Sequence, residues 1–268
     1  MRTTNRRPTQ DAGAWGGQLI SLSDLMAGLL FVFIVIVLVF AYKLNKATEA
    51  REDVVKEFRS TQAIRKSMLK AIEEGLIKEG LSSSDIAINL ETGVLSLRER
   101  ILFPSGSTDL SDDGRRALTI LARVLKDVLP CYAGSYGSTP STSCPEGSAT
   151  GRLEAVFIEG HTDSIPVSEA SRYGDNWNLS TARAISVFKE MTLKQSALDR
   201  LTNASAQPLF SISGYADRRP NAGDRQSNIT DEGRALNRRI DVRFIMTYPR
   251  DPDAVRAANA ELASQPGR

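Results

Sequence analysis

The sequence predicts a single transmembrane helix, then a helical linker, then an α/β domain. Three observations predict it. Eighteen consecutive residues, Leu25 to Tyr42, carry no charge and no amide. Residues 43–80 are dense in Lys, Glu, Arg and Ala. Beyond Gly80, short β-rich runs alternate with helical patterns, which is the grammar of helices packed on a sheet. The whole chain has 268 residues, two Cys, one His and a formal net charge of +2. That inventory cannot build a zinc finger, and so weak a positive field argues against a nucleic-acid partner.

The apolar run sets the first element. A bilayer core of roughly 30 Å needs about 20 helical residues, which places the span at 19–42 after an amino-terminal arm at 1–18. A cleaved signal peptide would have an apolar core of about 7 to 15 residues and a small-x-small site after it. Here the run is longer, and Lys43, Leu44, Asn45 and Lys46 follow. Arg2, Arg6 and Arg7 precede the span against Asp11 alone, while Glu49, Glu52 and Asp53 soon offset Lys43 and Lys46. The positive-inside rule then keeps the amino terminus in the cytosol and carries the remainder across the membrane.

Asp24 opens the apolar run and has two readings. Ser23 or Asp24 can cap the helix amino terminus, where a negative charge suits the dipole. Alternatively Asp24 lies within lipid, where an ionised side chain costs about 2.5 to 3.5 kcal/mol at mid-span and demands a function.

In the linker, 43–80, Leu44, Ala47, Val54, Phe58, Met68 and Ile72 recur at approximately heptad spacing, with Arg51 and Arg65 interrupting. The stripe fits either a coil formed with a second copy or a solvated spacer helix.

The α/β domain is expected over 81–248. Ile86 to Leu90 and Val94 to Leu97 alternate around Glu91, Thr92 and Gly93 as a hairpin does. Ser111, with Asp112 and Asp113 behind it, reads as a helix start, and Leu118, Leu121, Ala122, Leu125, Val128 and Leu129 form one apolar face. Leu153 to Glu159 and Leu209 to Ser213 read as strands, Ser180 to Met191 and Asp231 to Asn237 as helices, and Ile240 to Met246 as a closing strand. Cys131 and Cys144 bracket a Gly/Ser/Thr/Pro-rich loop. A disulfide there suits an oxidising compartment and is worth about 3 kcal/mol in the chain-entropy model, the alternative being two unpaired thiols. Residues 249–268, rich in Pro, Ala and Asp, form a tail.

Four ordered motifs then stand out: IEGHTDSIPV (158–167), NWNLSTARA (176–184), GYADRRP (214–220) and TDEGRALNRRIDV (230–242). Together they resemble the peptidoglycan-binding domain named after outer-membrane protein A, shared with Pal and the flagellar stator B subunit. The resemblance implies a periplasmic domain that captures the diaminopimelate arm of a cell-wall stem peptide. A carboxylate and a guanidinium answer such a zwitterion with charge-assisted hydrogen bonds. By the family pattern, Asp163 takes the amine and Arg183 the carboxylate. Asn176 matches the motif Asn, and Leu179 packs beneath the loop. Asn237 and Arg238 either join the site or brace the sheet. Asp175 stands where the family often has an aromatic residue. His161, with no Cys or second His nearby, suits a hydrogen-bonded structural role rather than metal chemistry.

One span headed by Ser-Asp-Leu-Met-Ala-Gly-Leu-Leu, a helical linker and this domain resemble, as an ensemble, the stator B subunits, which include flagellar members and the Zorya anti-phage type. That resemblance implies an inner-membrane protein with Asp24 as the carrier of an ion, protons or else sodium. It also implies a homodimer surrounded by five copies of a multi-span A subunit, with Lys43 to Phe58 in the place of a channel plug. Leu22-Ser23-Asp24 after a short arm is closer to the Zorya type than to the aromatic-Ala-Asp entry of flagellar members. A passive membrane-to-wall tether is the structural alternative. No phosphate loop, nucleophile elbow or metal cluster marks an enzyme, and no cofactor is expected.

Overall fold

The computed structural model describes residues 14–81, 86–104, 106–134, 144–145, 147–168, 171–221 and 228–247, with side chains from 24 onward except those of 50, 51, 53 and 54. Most of the expected arm and the whole of the expected tail lie outside the described residues. The chain divides into two compact units, Met1–Lys56 with Asp253–Arg268, and Glu57–Pro252.

In the first unit the described residues are helical and belong to α1 (Ala14–Lys78). Within it, Asp24–Glu49 is long and apolar enough to cross a membrane by length and composition. Its large apolar side chains, Leu29, Phe31, Phe33, Leu38 and Phe40 among them, are exposed among the described residues. The helix starts at Ala14, inside the expected arm, and this corrects the reading of Asp24 as an amino-terminal cap. A cap serves the unbonded N–H groups of a first turn, and Asp24 has helical residues on both sides.

The second unit is built on a five-stranded sheet of order β1-β2-β5-β3-β4. The strands are β1 (Ile86–Asn89), β2 (Val94–Arg98), β3 (Leu153–His161), β4 (Phe210–Gly214) and β5 (Arg239–Met246). All neighbouring pairs are antiparallel except β3 and β4. That parallel pair needs a crossover, and α4 (Asn176–Lys194) lies in it. The remaining helices are α2 (Glu99–Leu102), α3 (Asp112–Val128) and α5 (Asp231–Asn237).

Period-two alternation assigns the two faces of the sheet. Leu95 and Leu97 of β2, Val156 and Ile158 of β3, and Ile240, Val242 and Phe244 of β5 are buried in one core with Leu118, Leu121 and Leu125 of α3 and Val187 and Met191 of α4. The carboxy-terminal turns of α1 join them through Ile64, Met68, Leu69, Ile72 and Leu76. This moves the expected domain start from 81 to Glu57. Met68 and Ile72 therefore belong to the domain core rather than to a coil stripe, since both are fully buried in that cluster. Leu44 and Phe58 remain exposed.

Helix starts follow their caps. The Ser111 hydroxyl accepts from the Gly114 N–H at 2.9 Å, and Asp112 and Asp113 occupy the first turn. Asp175 caps α4, its carboxylate accepting from the Asn178 N–H at 2.7 Å, so α4 begins at Asn176, ahead of the expected Ser180. Cys131 and Cys144 are joined in a disulfide with their Cα atoms 5.6 Å apart.

Candidate ligand-binding site

The site lies where β3 and β4 end side by side and α4 begins. Gly160 and Gly214 are register partners on the two strands. A Cβ on Gly160 would stand 1.9 Å from the Ser180 carbonyl oxygen, and one on Gly214 would stand 2.1 Å from the Thr181 hydroxyl. Two bare positions thus let the first turns of α4 press onto the sheet. The Ser180 hydroxyl completes the junction by accepting from the Ala216 N–H at 3.2 Å, and the Thr162 N–H donates to the Ala216 carbonyl at 2.9 Å. Asp163 and Arg183 are carried to one place by this seating.

Asp163 lies just beyond β3, buried at 7% exposure. Its Oδ1 accepts from the Ile165 N–H at 3.1 Å, and its Oδ2 accepts from Arg238 Nη1 at 2.6 Å. Asn176 holds the same loop, donating to the carbonyls of Asp163 at 3.2 Å and Ile165 at 3.0 Å. Leu179 is buried one turn further along α4, on the stripe shared with Arg183 and Val187.

Arg183 is 3% exposed. Its Nη2 donates to Glu99 Oε1 at 2.5 Å and its Nε to the Ser107 carbonyl at 3.0 Å, while the guanidinium lies over the Phe103 ring, 5.3 Å from its centroid. Asp163 and Arg183 therefore share a site without pairing. Glu99 and Arg238 stand between them, and Arg238 Nε lies 3.2 Å from Glu99 Oε2. The spatial order across the site is Arg183, Glu99, Arg238, Asp163, with charges alternating. Burial raises the Glu99 carboxyl above its ordinary range despite Arg183 and Arg238 beside it, and burial lowers Arg183 despite Glu99.

Glu99 was not legible as a site residue. In the sequence it reads as one charge in Arg98-Glu99-Arg100, a solvated end to a strand. The sheet explains its place: β2 ends beside the start of β5, with Arg98 opposite Arg239, and the Glu99 N–H donates to the Arg238 carbonyl at 3.0 Å. Neighbours in space, they are far apart in the chain. Thr108, Arg172 and Tyr173 form a further polar group at the rim, with the Thr108 and Tyr173 hydroxyls 2.6 Å apart and Arg172 donating to both.

Asn237 is 1% exposed and faces the loops. Its side-chain Oδ1 accepts from the Asn221 N–H at 2.8 Å, and its Nδ2 donates to Asn228 Oδ1 at 2.8 Å. Asn228 in turn accepts from the Ser164 N–H at 3.2 Å. Asn237 thus ties together loops behind Asp163, whereas Arg238 touches Asp163 itself. A cavity of about 320 Å³ lined by Ser164, Asp217, Arg218, Asn228 and Ile229 opens alongside. Ile165 and Trp177 are exposed nearby.

His161 belongs to a different cluster, on the sheet face away from the helices. Its Nε2 is 3.3 Å from Asp241 and 3.9 Å from Glu159, and the three residues bring ligand-type atoms within 4.8 Å of one another. Both carboxylates are already engaged. Arg243 grips Glu159 through two bonds of 2.8 Å, and Arg239 Nε donates to both oxygens of Asp241 at 3.0 Å. A cation would have to displace these guanidinium groups, so the cluster acts as a charge network bracing β3 and β5.

No family model matches the chain. Over 87 residues it is 37% identical to Motility protein B of Bacillus subtilis, a stretch covering 32% of this chain and 28% of that protein. It is 24% identical over 262 residues to the uncharacterized protein YtxE of the same organism, covering 90% of this chain and 92% of that one. Among solved structures, the putative MotB-like protein from Desulfovibrio vulgaris aligns with a TM-score of 0.47 at 18% identity, over 74% of this chain and 99% of that one. The chain spans less than a third of Motility protein B, and is similar to it over that part.

Proposed function

We propose that the chain is the B subunit of an inner-membrane, ion-driven stator of the Zorya anti-phage type, held to peptidoglycan by the unit Glu57–Pro252. The supporting observation is the conjunction on one chain of Asp24, inside an apolar helix, with the row of Asp163, Arg238, Glu99 and Arg183. A carboxylate in a low-dielectric seam alternates between a neutral, ion-occupied form and a charged form. Each ion crossing releases about 2.3 kcal/mol per 100 mV of membrane potential. A single helix offers no closed aqueous path, so five multi-span A subunits around a B dimer complete it. Protons are the ion, with sodium the competing choice. The wall supplies the fixed frame against which rotation acts.

A second reading, the flagellar stator B subunit, is favoured by the identity with Motility protein B. The genomic neighbour decides between them: helicase or nuclease genes beside the A subunit gene support defence. Asp24→Asn tests ion carriage for either. The variant is expected to insert and bind its partners normally while phage protection, or swimming in the flagellar case, is lost. Normal function in Asp24→Asn would leave only a passive tether.

A further inference from the structure

A basic hollow lies on the helical side of the second unit and shares no residue with the row of Arg183, Glu99, Arg238 and Asp163. Along α3, Arg115, Thr119 and Arg123 recur at intervals of four with Arg116 beside Arg115, so they form one stripe, opposite the buried Leu118, Leu121 and Leu125. The stripe meets Glu79, just past α1, and Lys194, the last residue of α4, around a cavity of about 460 Å³. Three guanidinium groups and one ammonium thus line it against a single carboxylate. Two of the cations are fixed by a buried group. Glu190 of α4 is 5% exposed, its Oε2 accepts from Arg115 Nη1 at 2.8 Å, and Lys194 Nζ stands 3.6 Å from its Oε1. Arg115 keeps four further N–H groups, since a guanidinium carries five. Arg123 donates one to Glu79, and Arg116 pairs with Asp113, both side chains of that pair being 73% exposed. Exposed pairs of this kind contribute little and exchange readily. Even with Glu190 and Asp113 counted beside Glu79, the cations outnumber the acids by four to three.

We propose that this hollow is a phosphate-binding site, taking either the free anion or the phosphate of a polyol ester, and that it works independently of wall binding. The chemistry of the lining selects the ligand. A planar carboxylate is satisfied by one guanidinium fork, whereas several forks around one cavity suit an anion with acceptor oxygens pointing in several directions, as phosphate has. Arg116 and Arg123 are the principal ligands, because their partners Asp113 and Glu79 are surface acids that phosphate can replace. Arg115 and Lys194, braced by Glu190, complete the positive field. The Thr119 hydroxyl already donates to the Arg115 carbonyl at 2.7 Å, so recognition falls to the cations.

The test is calorimetric titration of the full-length chain in a neutral detergent at constant ionic strength, with sodium chloride as the blank. Two probes are used: sodium phosphate, and glycerophosphoglycerol, the deacylated headgroup of phosphatidylglycerol. Wild type is expected to give a single saturable event. Binding of the diester assigns the site to an esterified phosphate, on a lipid or a polyol chain, and binding of inorganic phosphate alone assigns it to the free anion. Arg116→Gln combined with Arg123→Gln is expected to weaken binding about tenfold or more, the worth of a charge-assisted hydrogen bond. Both side chains are exposed, so the fold is expected to survive, and Arg115 is left in place because it holds the buried Glu190. Arg59→Gln combined with Arg200→Gln removes as much charge from exposed positions elsewhere and is expected to bind as wild type does. Absence of saturable binding for both probes overturns the proposal. Equal weakening by the two double variants overturns it as well, since net charge rather than the hollow would then govern the effect.

Discussion

Gly160 and Gly214 face each other across the parallel pair of β3 and β4, and neither position leaves room for a side chain under α4. The atom that a Cβ on Gly160 would strike is a backbone carbonyl, which cannot rotate away as a side chain would. Gly160→Ala must therefore lift the start of α4 from the sheet. Overpacking of this kind costs about 1 to 3 kcal/mol or more. Urea denaturation of the full-length chain, followed by Trp177 fluorescence in a Trp15→Phe background, is expected to show that loss. Because Arg183 rides on α4, ligand binding should weaken too. Gly28→Ala, in open space on α1, is the matching control.

The buried pair of Arg183 and Glu99 gives a second prediction. Removing one member leaves the other charged and enclosed, which typically costs about 3 to 5 kcal/mol, whereas replacing both with apolar residues is often neutral. Arg238 remains near Glu99, so Arg183→Met should fall toward the lower end, about 3 kcal/mol. Adding Glu99→Leu to Arg183→Met is expected to recover much of the loss in a double-mutant cycle. Additive losses would mean that the two side chains do not interact as described.

Much of this arrangement was open to reading and part was not, for reasons that differ by residue. Asp163, Asn176 and Arg183 sit in contiguous motifs, so local spacing brings them forward. Glu99 does not, because its importance arises only when β2 and β5 pair and set it beside Arg238. The linker helix ends at Lys78, yet the second compact unit already begins at Glu57, because the last turns of that helix carry core side chains. Heptad spacing and a core-facing helix stripe place Met68 and Ile72 alike, and only their full burial in the domain core separates the two. Asp175, odd as a replacement for an aromatic residue, is explained once it is seen to cap α4. The faces of β5 were foreseeable from alternation, but the network of Arg239, Asp241 and Arg243 with His161 and Glu159 needed the cross-strand register.

The disulfide provides a third prediction. Cys131 is buried at 2% exposure beside the fully buried Tyr132, and the bridge closes a separation of 13 residues. A loop of that size is worth about 3 kcal/mol in the chain-entropy model. Reduction, or the double replacement Cys131→Ala with Cys144→Ala, should lower the denaturation midpoint of the second unit without moving helical content in the first. Equal stability with and without reductant would show that the bridge constrains little in the unfolded chain.

Acid sensitivity follows from Asp241. Burial pushes its carboxyl up, but His161, Arg239 and Ser96 outweigh that and hold it at about 2, against an ordinary value of 3.8. A carboxyl lowered on folding adds stability above its unfolded value, and that stability is lost as pH falls through the folded one. The contribution is about 2 kcal/mol, absent once both states are protonated. Glu159 is lowered as well, burial being outweighed by His161 and Arg243, and acts in the same direction. Glu99 acts in the opposite direction, since its raised carboxyl makes the charged form a cost that acid relieves. Urea unfolding from pH 7 down to about 2 should therefore show stability falling in strong acid, with Asp241→Asn less stable than wild type at neutral pH by about 2 kcal/mol. The gap between the two proteins should close as pH drops through about 2. A gap that stays constant across the range would remove Asp241 ionisation from the forces holding β5 to β3.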